Sequence, residues 1–326
     1  MNNKIKRKIV LMFPGQGSQY AGMGMDYIDL LTKSNNDFSN ASEALGEDLI
    51  DVISGNNGNT ANLENTFYSQ VSIFTLSVSI SDYLFDKNYL DRTSVLAVIG
   101  HSLGDYGALY ACGFFNFKDG IDIVSHRGKL MADANEKMDG MMAAVLGTNY
   151  EALKNLLLGY KDLYKEEVYL ANYNDYIQIV LSGKRENLEK AIDFLKEKGV
   201  RKVMPLKVRI ASHSPLMKEV SEKLGEYFRD IVLHDPQSNF YSSTSLDFPK
   251  KEKIKSVMEE QLVIPINWVK SMEYLLGKKA DTFVEIGPGK VLSNLVKRIA
   301  EKNSMDVSVF NTDKLSDLNN LIESMR

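Results

Sequence analysis

The stretch Gly100-His101-Ser102-Leu103-Gly104 constrains the fold of this chain more than any other. It follows the short apolar run Val95–Ile99 and precedes Tyr106–Cys112, a run compatible with a helix. A G-x-S-x-G sequence set between strand and helix is a sharp turn with the serine at its apex. Glycines two residues to either side let neighbouring backbone approach without a Cβ clash. The backbone N–H of Leu103 then points where an oxyanion would form, at the positive end of the following helix. The plain alternative is a glycine-flanked serine in an ordinary strand–helix turn. The apolar strand before it and the helical pattern after it favour a nucleophile at Ser102.

Other segments repeat the alternation of short apolar strand and helix. Ile9–Phe13 is a continuous apolar strand that runs into the glycine-rich loop Pro14–Gly17. Tyr68–Phe85 is apolar at helical length, and a further helix is expected from Asp119 to Ala134. Near the C-terminus, strand Thr282–Ile286 meets a Gly-Pro-Gly turn and a helix from Val291, and Val307–Phe310 is one more strand candidate. A polar linker is expected around Gly55–Asn59. Apolar strands alternating with helices predict a mostly parallel sheet covered on both faces.

The texture changes near Lys137. Gly140–Gly147 reads as a strand, Tyr150–Tyr160 as a helix, and Val168–Asn174 and Gln178–Gly183 as two strands joined by a turn. Arg185–Lys198 is an amphipathic helix with Leu188, Ala191, Ile192 and Leu195 on one face and Gly199 as its stop. Val200–Leu206 is a last strand. The order β-α-β-β-α-β is the ferredoxin-like split pattern. It predicts a small domain at 137–205 inserted into a larger one made of 1–136 and 206–326. A chain of 326 residues has room for one large domain and one small one.

Composition narrows the function classes. Hydrophobic residues make up 44% and charged residues 25%, the balance of a soluble globular chain. A net charge of −4 gives no electrostatic footprint for nucleic acid. No apolar stretch approaches membrane-spanning length. The N-terminus is basic and then apolar, but Pro14-Gly15 ends the run too early for a signal peptide, so a buried first strand is expected. The single cysteine, Cys112, rules out an intrachain disulfide and fits a reducing, cytoplasmic setting. No metal-ligating constellation is present in the sequence, and no bound cofactor is required.

A nucleophilic serine needs a base, and the chain has four histidines: His101, His126, His213 and His234. His101 adjoins the serine and cannot easily fold back to take its proton. His126 lies on a predicted helix. His213, in "RIASHSPLM", and His234, before Asp235-Pro236, both suit loops, and spacing does not choose between them. The loop "FPGQGSQ" at Phe13–Gln19 follows a strand and lacks the GK[ST] ending of a phosphate loop. Its backbone N–H at Gln16 is a candidate second oxyanion donor; a tight turn with Ser18 as N-cap is the alternative.

Taken together and in order, "FPGQGSQ", "GHSLGDYGAL", "RGKLM" at Arg127–Met131, "GMMAAVLG", "ASHSPLM", "EQLVIPINW" at Glu260–Trp268 and "FVEIGPGKVL" resemble the malonyl-CoA:acyl carrier protein transacylase family over nearly the whole chain. The resemblance implies an α/β-hydrolase-like large domain with a ferredoxin-like insertion. It implies Ser102 as the acyl-accepting nucleophile and His213 as the base, against His234. It implies Gln16 and Leu103 as backbone oxyanion donors. It further implies that the carbonyl of Gln261, in place of an aspartate, orients the histidine. Arg127 would grip the free carboxylate of the malonyl group, since a guanidinium matches a carboxylate bidentately. The implied partners are malonyl-CoA and an acyl carrier protein, in fatty acid or polyketide synthesis.

Three positions depart from the family pattern. Asp105 stands where Glu is usual; Tyr176 and Ile177 replace Pro-Gly in Asn174–Gln178; and Ser212 is smaller than the Phe of some malonyl enzymes, leaving room for an α-methyl group. Competing readings are an acyl hydrolase that clears carrier proteins, a non-catalytic docking module, and an ordinary esterase. A hydrolase of monocarboxylic chains has no use for Arg127; intact Ser102, His213 and Arg127 weigh against lost catalysis; and an esterase lacks a nameable acid member. A carrier protein is acidic, so Lys184, Arg185, Lys196, Lys198, Arg201 and Lys202 are candidates for a basic rim, with a merely solvated face as the equal alternative.

Overall fold

Strands and helices alternate along the chain in the computed structural model, which describes residues 7–33, 37–55, 63–164 and 167–326. Its strands are β1 (Ile9–Phe13), β2 (Val95–Gly100), β3 (Gly140–Leu146), β4 (Val168–Asp175), β5 (Gln178–Lys184), β6 (Lys202–Pro205), β7 (Phe240–Tyr241), β8 (Ile266–Asn267), β9 (Thr282–Glu285) and β10 (Ser308–Asn311). They form two five-stranded sheets. From residue 56 onward the expected linker at 55–59 lies outside the described residues.

The larger sheet has the order β10-β9-β1-β2-β7, and every pairing in it is parallel. Alternate residues of β1 enter different cores. Ile9, Leu11 and Phe13 pack into one, and Val10 and Met12 into the other. A strand buried on both faces must be apolar throughout, which is why Ile9–Phe13 reads as an unbroken hydrophobic run. The Thr66–Asp86 helix covers one face and is buried nearly all round, packed against the Phe117–Lys137 helix. The second core holds Trp268 and Met272 from the Trp268–Gly277 helix, and Leu295 and Ile299 from the Val291–Lys302 helix.

The smaller sheet has the order β6-β3-β5-β4-β8. Its first four strands are antiparallel, with helices Tyr150–Tyr164 and Arg185–Glu197 between them in the chain, as the split pattern predicts. Leu188, Ala191 and Leu195 are buried under this sheet, and Gly199 adopts the left-handed conformation (φ 89°) that stops the helix. Two corrections follow. The last strand starts at Lys202 rather than Val200, because the Val200 N–H bonds back to the Leu195 carbonyl and closes the helix end. A fifth strand, β8, was not expected; it runs parallel to β4 and ties the segment before Trp268 to the small sheet.

The departing turn Asn174–Gln178 also joins the two sheets. Tyr176 Oη donates to Glu273 Oε1 at 2.5 Å, and Asp175 pairs with Arg298. A Pro at position 176 would lack the hydroxyl, so here a further side-chain bond anchors the small sheet on the helices of the large one.

Candidate active site

The turn after β2 has the strained geometry its sequence predicts. Ser102 carries φ 54°, the left-handed region, which costs a non-glycine residue on the order of 1–3 kcal/mol. The two flanking glycines are sterically required. A Cβ on Gly100 would lie 2.0 Å from the Asp105 nitrogen, and one on Gly104 would lie 1.9 Å from the Phe13 carbonyl oxygen. The elbow thus passes directly over the end of β1, and the His101 N–H donates to that same Phe13 carbonyl. The Gly104–Cys112 helix starts immediately afterwards.

His213 approaches from the loop before the Pro215–Met217 turn, also with a left-handed backbone (φ 57°). Its Nε2 lies 2.9 Å from Ser102 Oγ. Its Nδ1 faces two carbonyls, those of Gln261 at 3.0 Å and Ile264 at 3.1 Å. Carbonyls only accept, so Nδ1 carries the proton and Nε2 is left to accept the serine hydroxyl. Burial is the chief cause that pushes the His213 pKa down to about 3; the charges of His101 and Arg127 add to it.

Arg127, on the Phe117–Lys137 helix, is 1% exposed and points into the site. Its Nη2 donates to Ser102 Oγ at 3.2 Å and its Nη1 to Gln70 Oε1 at 2.5 Å. Its Nε has no partner, and among the described residues no carboxylate forms an ion pair with it. The Tyr106 ring lies beneath the guanidinium, 5.6 Å from centroid to Cζ. Burial lowers the Arg127 pKa.

Gln261 holds nucleophile and base in one frame. Its backbone carbonyl accepts from His213, while its side-chain Nε2 donates to the Ser102 carbonyl at 2.7 Å and to Asp105 Oδ2 at 2.5 Å. Asp105 is fully enclosed. Burial raises its pKa to about 7, against the lowering effect of the Gln261 bond. The backbone N–H groups of Gln16 and Leu103 donate to no acceptor among the described residues.

A cleft of about 250 Å³ opens on these groups, with Gln16, Ser102, Arg127, Met142, Ser212 and His213 in its walls. The structure therefore brings together five sequence candidates: Gln16, Ser102, Arg127, His213 and Gln261; Leu103 follows the serine at the start of the helix. His234 is exposed, and His126 stacks on Tyr227 at 4.3 Å. Of the basic-rim candidates none lines the cleft. Arg185 pairs with Asp139, Lys196 with Asp193, and Lys198 lies over Phe194. Sequence reasoning missed Gln70, Asn174 and Ile264. Asn174 Oδ1 lies 2.9 Å from His101 Nε2 and fixes that ring against Trp268.

A strained serine elbow on a parallel sheet, a carbonyl-oriented histidine and an unpaired buried arginine define an acyl transferase, and residues 10–312 match the family described as "Acyl transferase domain". The chain belongs to the malonyl-CoA:acyl carrier protein transacylase family within that class. It is 37% identical over 296 residues to the malonyl CoA-acyl carrier protein transacylase of Bacillus subtilis (strain 168), covering 90% of each chain. The structure resembles the crystal structure of the Clostridium perfringens transacylase of that name, with a TM-score of 0.87 at 32% identity, covering 98% of this chain and 97% of that one. It also resembles a malonyl-transacylase solved in complex with its type II polyketide acyl-carrier protein, with a TM-score of 0.89 at 29% identity, covering 97% and 99%.

Proposed function

We propose that this protein moves a malonyl group from CoA to the phosphopantetheine thiol of an acyl carrier protein, through an ester on Ser102. One observation carries the reading. A buried guanidinium that forms no ion pair among the described residues sits 3.2 Å from the hydroxyl that would take the acyl group. A charge left unpaired in a desolvated site calls for an anion, and the malonyl carboxylate supplies one within reach of the nucleophile.

In the proposed mechanism Ser102 Oγ attacks the thioester carbonyl and His213 Nε2 takes its proton. The N–H groups of Gln16 and Leu103 hold the oxyanion. Burial and the Arg127 charge keep the ring neutral before substrate binds, so it gains a proton only as negative charge develops opposite it. The imidazolium returns that proton to the departing CoA sulfur. The carrier thiol then attacks the ester by the same route in reverse, giving ping-pong kinetics. Gln261 and Ile264 orient the ring through their carbonyls, in place of a carboxylate. The catalytic part comprises 1–136 and 206–326, with 137–205 as the inserted subdomain.

The hydrolase reading is not favoured: the relatives are named transacylases, and a hydrolase of monocarboxylic chains would have no use for Arg127. The reaction belongs to fatty acid or polyketide synthesis, with the cytoplasm as its proposed setting. Ser212 leaves methylmalonyl as a second acyl group to test.

The test is to incubate the protein separately with malonyl-, methylmalonyl- and acetyl-CoA and weigh it intact. A carrier protein is then added and the label followed. Mass gain with the dicarboxylic thioesters and transfer to the carrier are expected. No gain with any dicarboxylic thioester, or release of all label to water, refutes the proposal.

A further inference from the structure

Besides Ser102, Arg127 donates to one other side chain among the described residues, and that one is also neutral. Gln70 is fully buried in the Thr66–Asp86 helix, and its Oε1 accepts from Arg127 Nη1 at 2.5 Å. Only the amide oxygen can accept from a guanidinium, which fixes the orientation of the amide. Its Nε2 then faces Met131 Sδ at 3.3 Å, a weak acceptor, so Met131 helps hold the amide in this pose. Met131 itself lies in the cleft wall, one helical turn beyond Arg127.

We infer that Gln70 is a specificity-determining residue that positions the Arg127 guanidinium without neutralising it. The inference rests on the reading of Arg127 as the acyl-carboxylate ligand. A carboxylate at position 70 would also satisfy Nη1, and more strongly, but it would cancel the charge before substrate arrived. An apolar side chain would leave the charge intact and the fork unaligned. A neutral acceptor does neither: it uses one N–H edge to set the plane and leaves the positive charge, together with the unpartnered Nε, available to an incoming anion. Selection of dicarboxylic over monocarboxylic acyl groups thus depends on the missing charge at position 70 as much as on the arginine.

The test measures kcat/KM of Gln70→Glu, Gln70→Leu and Arg127→Ala with malonyl-CoA and acetyl-CoA, alongside intact-mass loading of Ser102. Acetyl-CoA has no carboxylate, so it reports the elbow and base alone. For Gln70→Glu the malonyl-to-acetyl ratio is expected to fall at least about thirtyfold, mostly through malonyl-CoA. For Gln70→Leu the KM for malonyl-CoA is expected to rise about tenfold with a much smaller change in kcat. A ratio within about threefold of the wild-type value in Gln70→Glu overturns the inference. Should Gln70→Glu fail to fold, Gln70→Leu decides: equal losses on both thioesters mean a structural role and also overturn it. The two proposals fail separately. If Arg127→Ala collapses the ratio and the Gln70 variants do not, only the role of Gln70 is lost; if Arg127→Ala leaves the ratio unmoved, the carboxylate reading itself is lost.

Discussion

His213 Nε2 lies 2.9 Å from Ser102 Oγ, and both residues sit in left-handed backbone, at φ 57° and 54°. Two strained loops are thus held face to face, one from the end of β2 and one before the Pro215–Met217 turn. The expected consequence is that Ser102→Ala abolishes the mass gain with malonyl-CoA altogether. His213→Gln, which loses the base, is expected to slow loading by about 10²–10⁴-fold while leaving thermal unfolding within a few degrees of the wild type. Intact-mass kinetics and a melting curve check both. Loading of the Ser102→Ala variant at any rate would place the acyl group elsewhere.

The ring must be neutral to accept a proton. Burial, then the charges of His101 and Arg127, push its pKa from the usual 6.5 to about 3. The neutral form therefore persists well below pH 6.5, and kcat/KM of the free enzyme should show no acid limb centred near that value. Per folded molecule, kcat/KM for acetyl-CoA at pH 5 is expected within about twofold of that at pH 7. Arg127→Ala removes one of the lowering charges, so whatever acid limb is seen should move to higher pH in that variant. A pH profile with circular dichroism as the folding control measures both, and a wild-type midpoint near 6.5 contradicts the geometry.

Asp105 gives an opposite dependence in stability. Its folded pKa is raised from 3.8 to about 7, chiefly by burial, so the folded protein favours the protonated acid. The contribution is fully present below pH 3.8 and is lost as the pH rises towards about 7. Asp105→Asn keeps an oxygen to accept from Gln261 Nε2 but does not titrate. Its stability curve between pH 4 and 7 is expected to be flatter than the wild type by up to about 1.4 kcal/mol per pH unit. Asp37, Asp82 and Glu285 are raised to about 6, 7 and 7, also chiefly by burial, and should keep the rest of the slope. Urea midpoints across that range, compared between the two proteins, are the measurement; parallel curves would mean that Asp105 is already ionised in the fold.

The parts of this site that lie next to each other in sequence were legible there. The elbow announces itself because glycine spacing, an apolar strand and a helix all meet at Ser102. The small sheet was legible because its strands are consecutive and its Arg185–Glu197 helix is amphipathic. Partners brought in from far along the chain carried no local signal. His213 and His234 were equivalent by spacing; the family resemblance pointed to His213, and the structure buries it against a serine 111 residues away while His234 stays exposed. The two-residue strand β8 is too short to leave a periodic trace and exists because β4 offers it an edge. Gln70 is held by hydrogen bonds to Arg127 and Met131 and Asn174 by one to His101, and no pattern in the sequence encodes those contacts.

The elbow's glycines give the sharpest steric prediction. In Gly104→Ala the added methyl meets the Phe13 carbonyl oxygen at 1.9 Å, and backbone on a central strand cannot swing away as a flexible side chain would. Relief requires the start of the Gly104–Cys112 helix to lift from β1. That motion shifts the Leu103 N–H, drags Ser102 from His213 and disturbs the Gln261 bond to the Ser102 carbonyl. The expected outcome is a loss of about 2–4 kcal/mol in stability, with malonyl loading reduced far more than the unfolded fraction accounts for. Gly107→Ala is the comparison, because its added methyl meets the edge of the Phe13 ring at 2.7 Å rather than backbone, and a ring can turn. It should cost less stability and leave the loading rate of the folded fraction nearly unchanged. Urea unfolding and single-turnover loading of the two variants side by side make the comparison, and equal effects in both would show that the elbow is not pinned on β1.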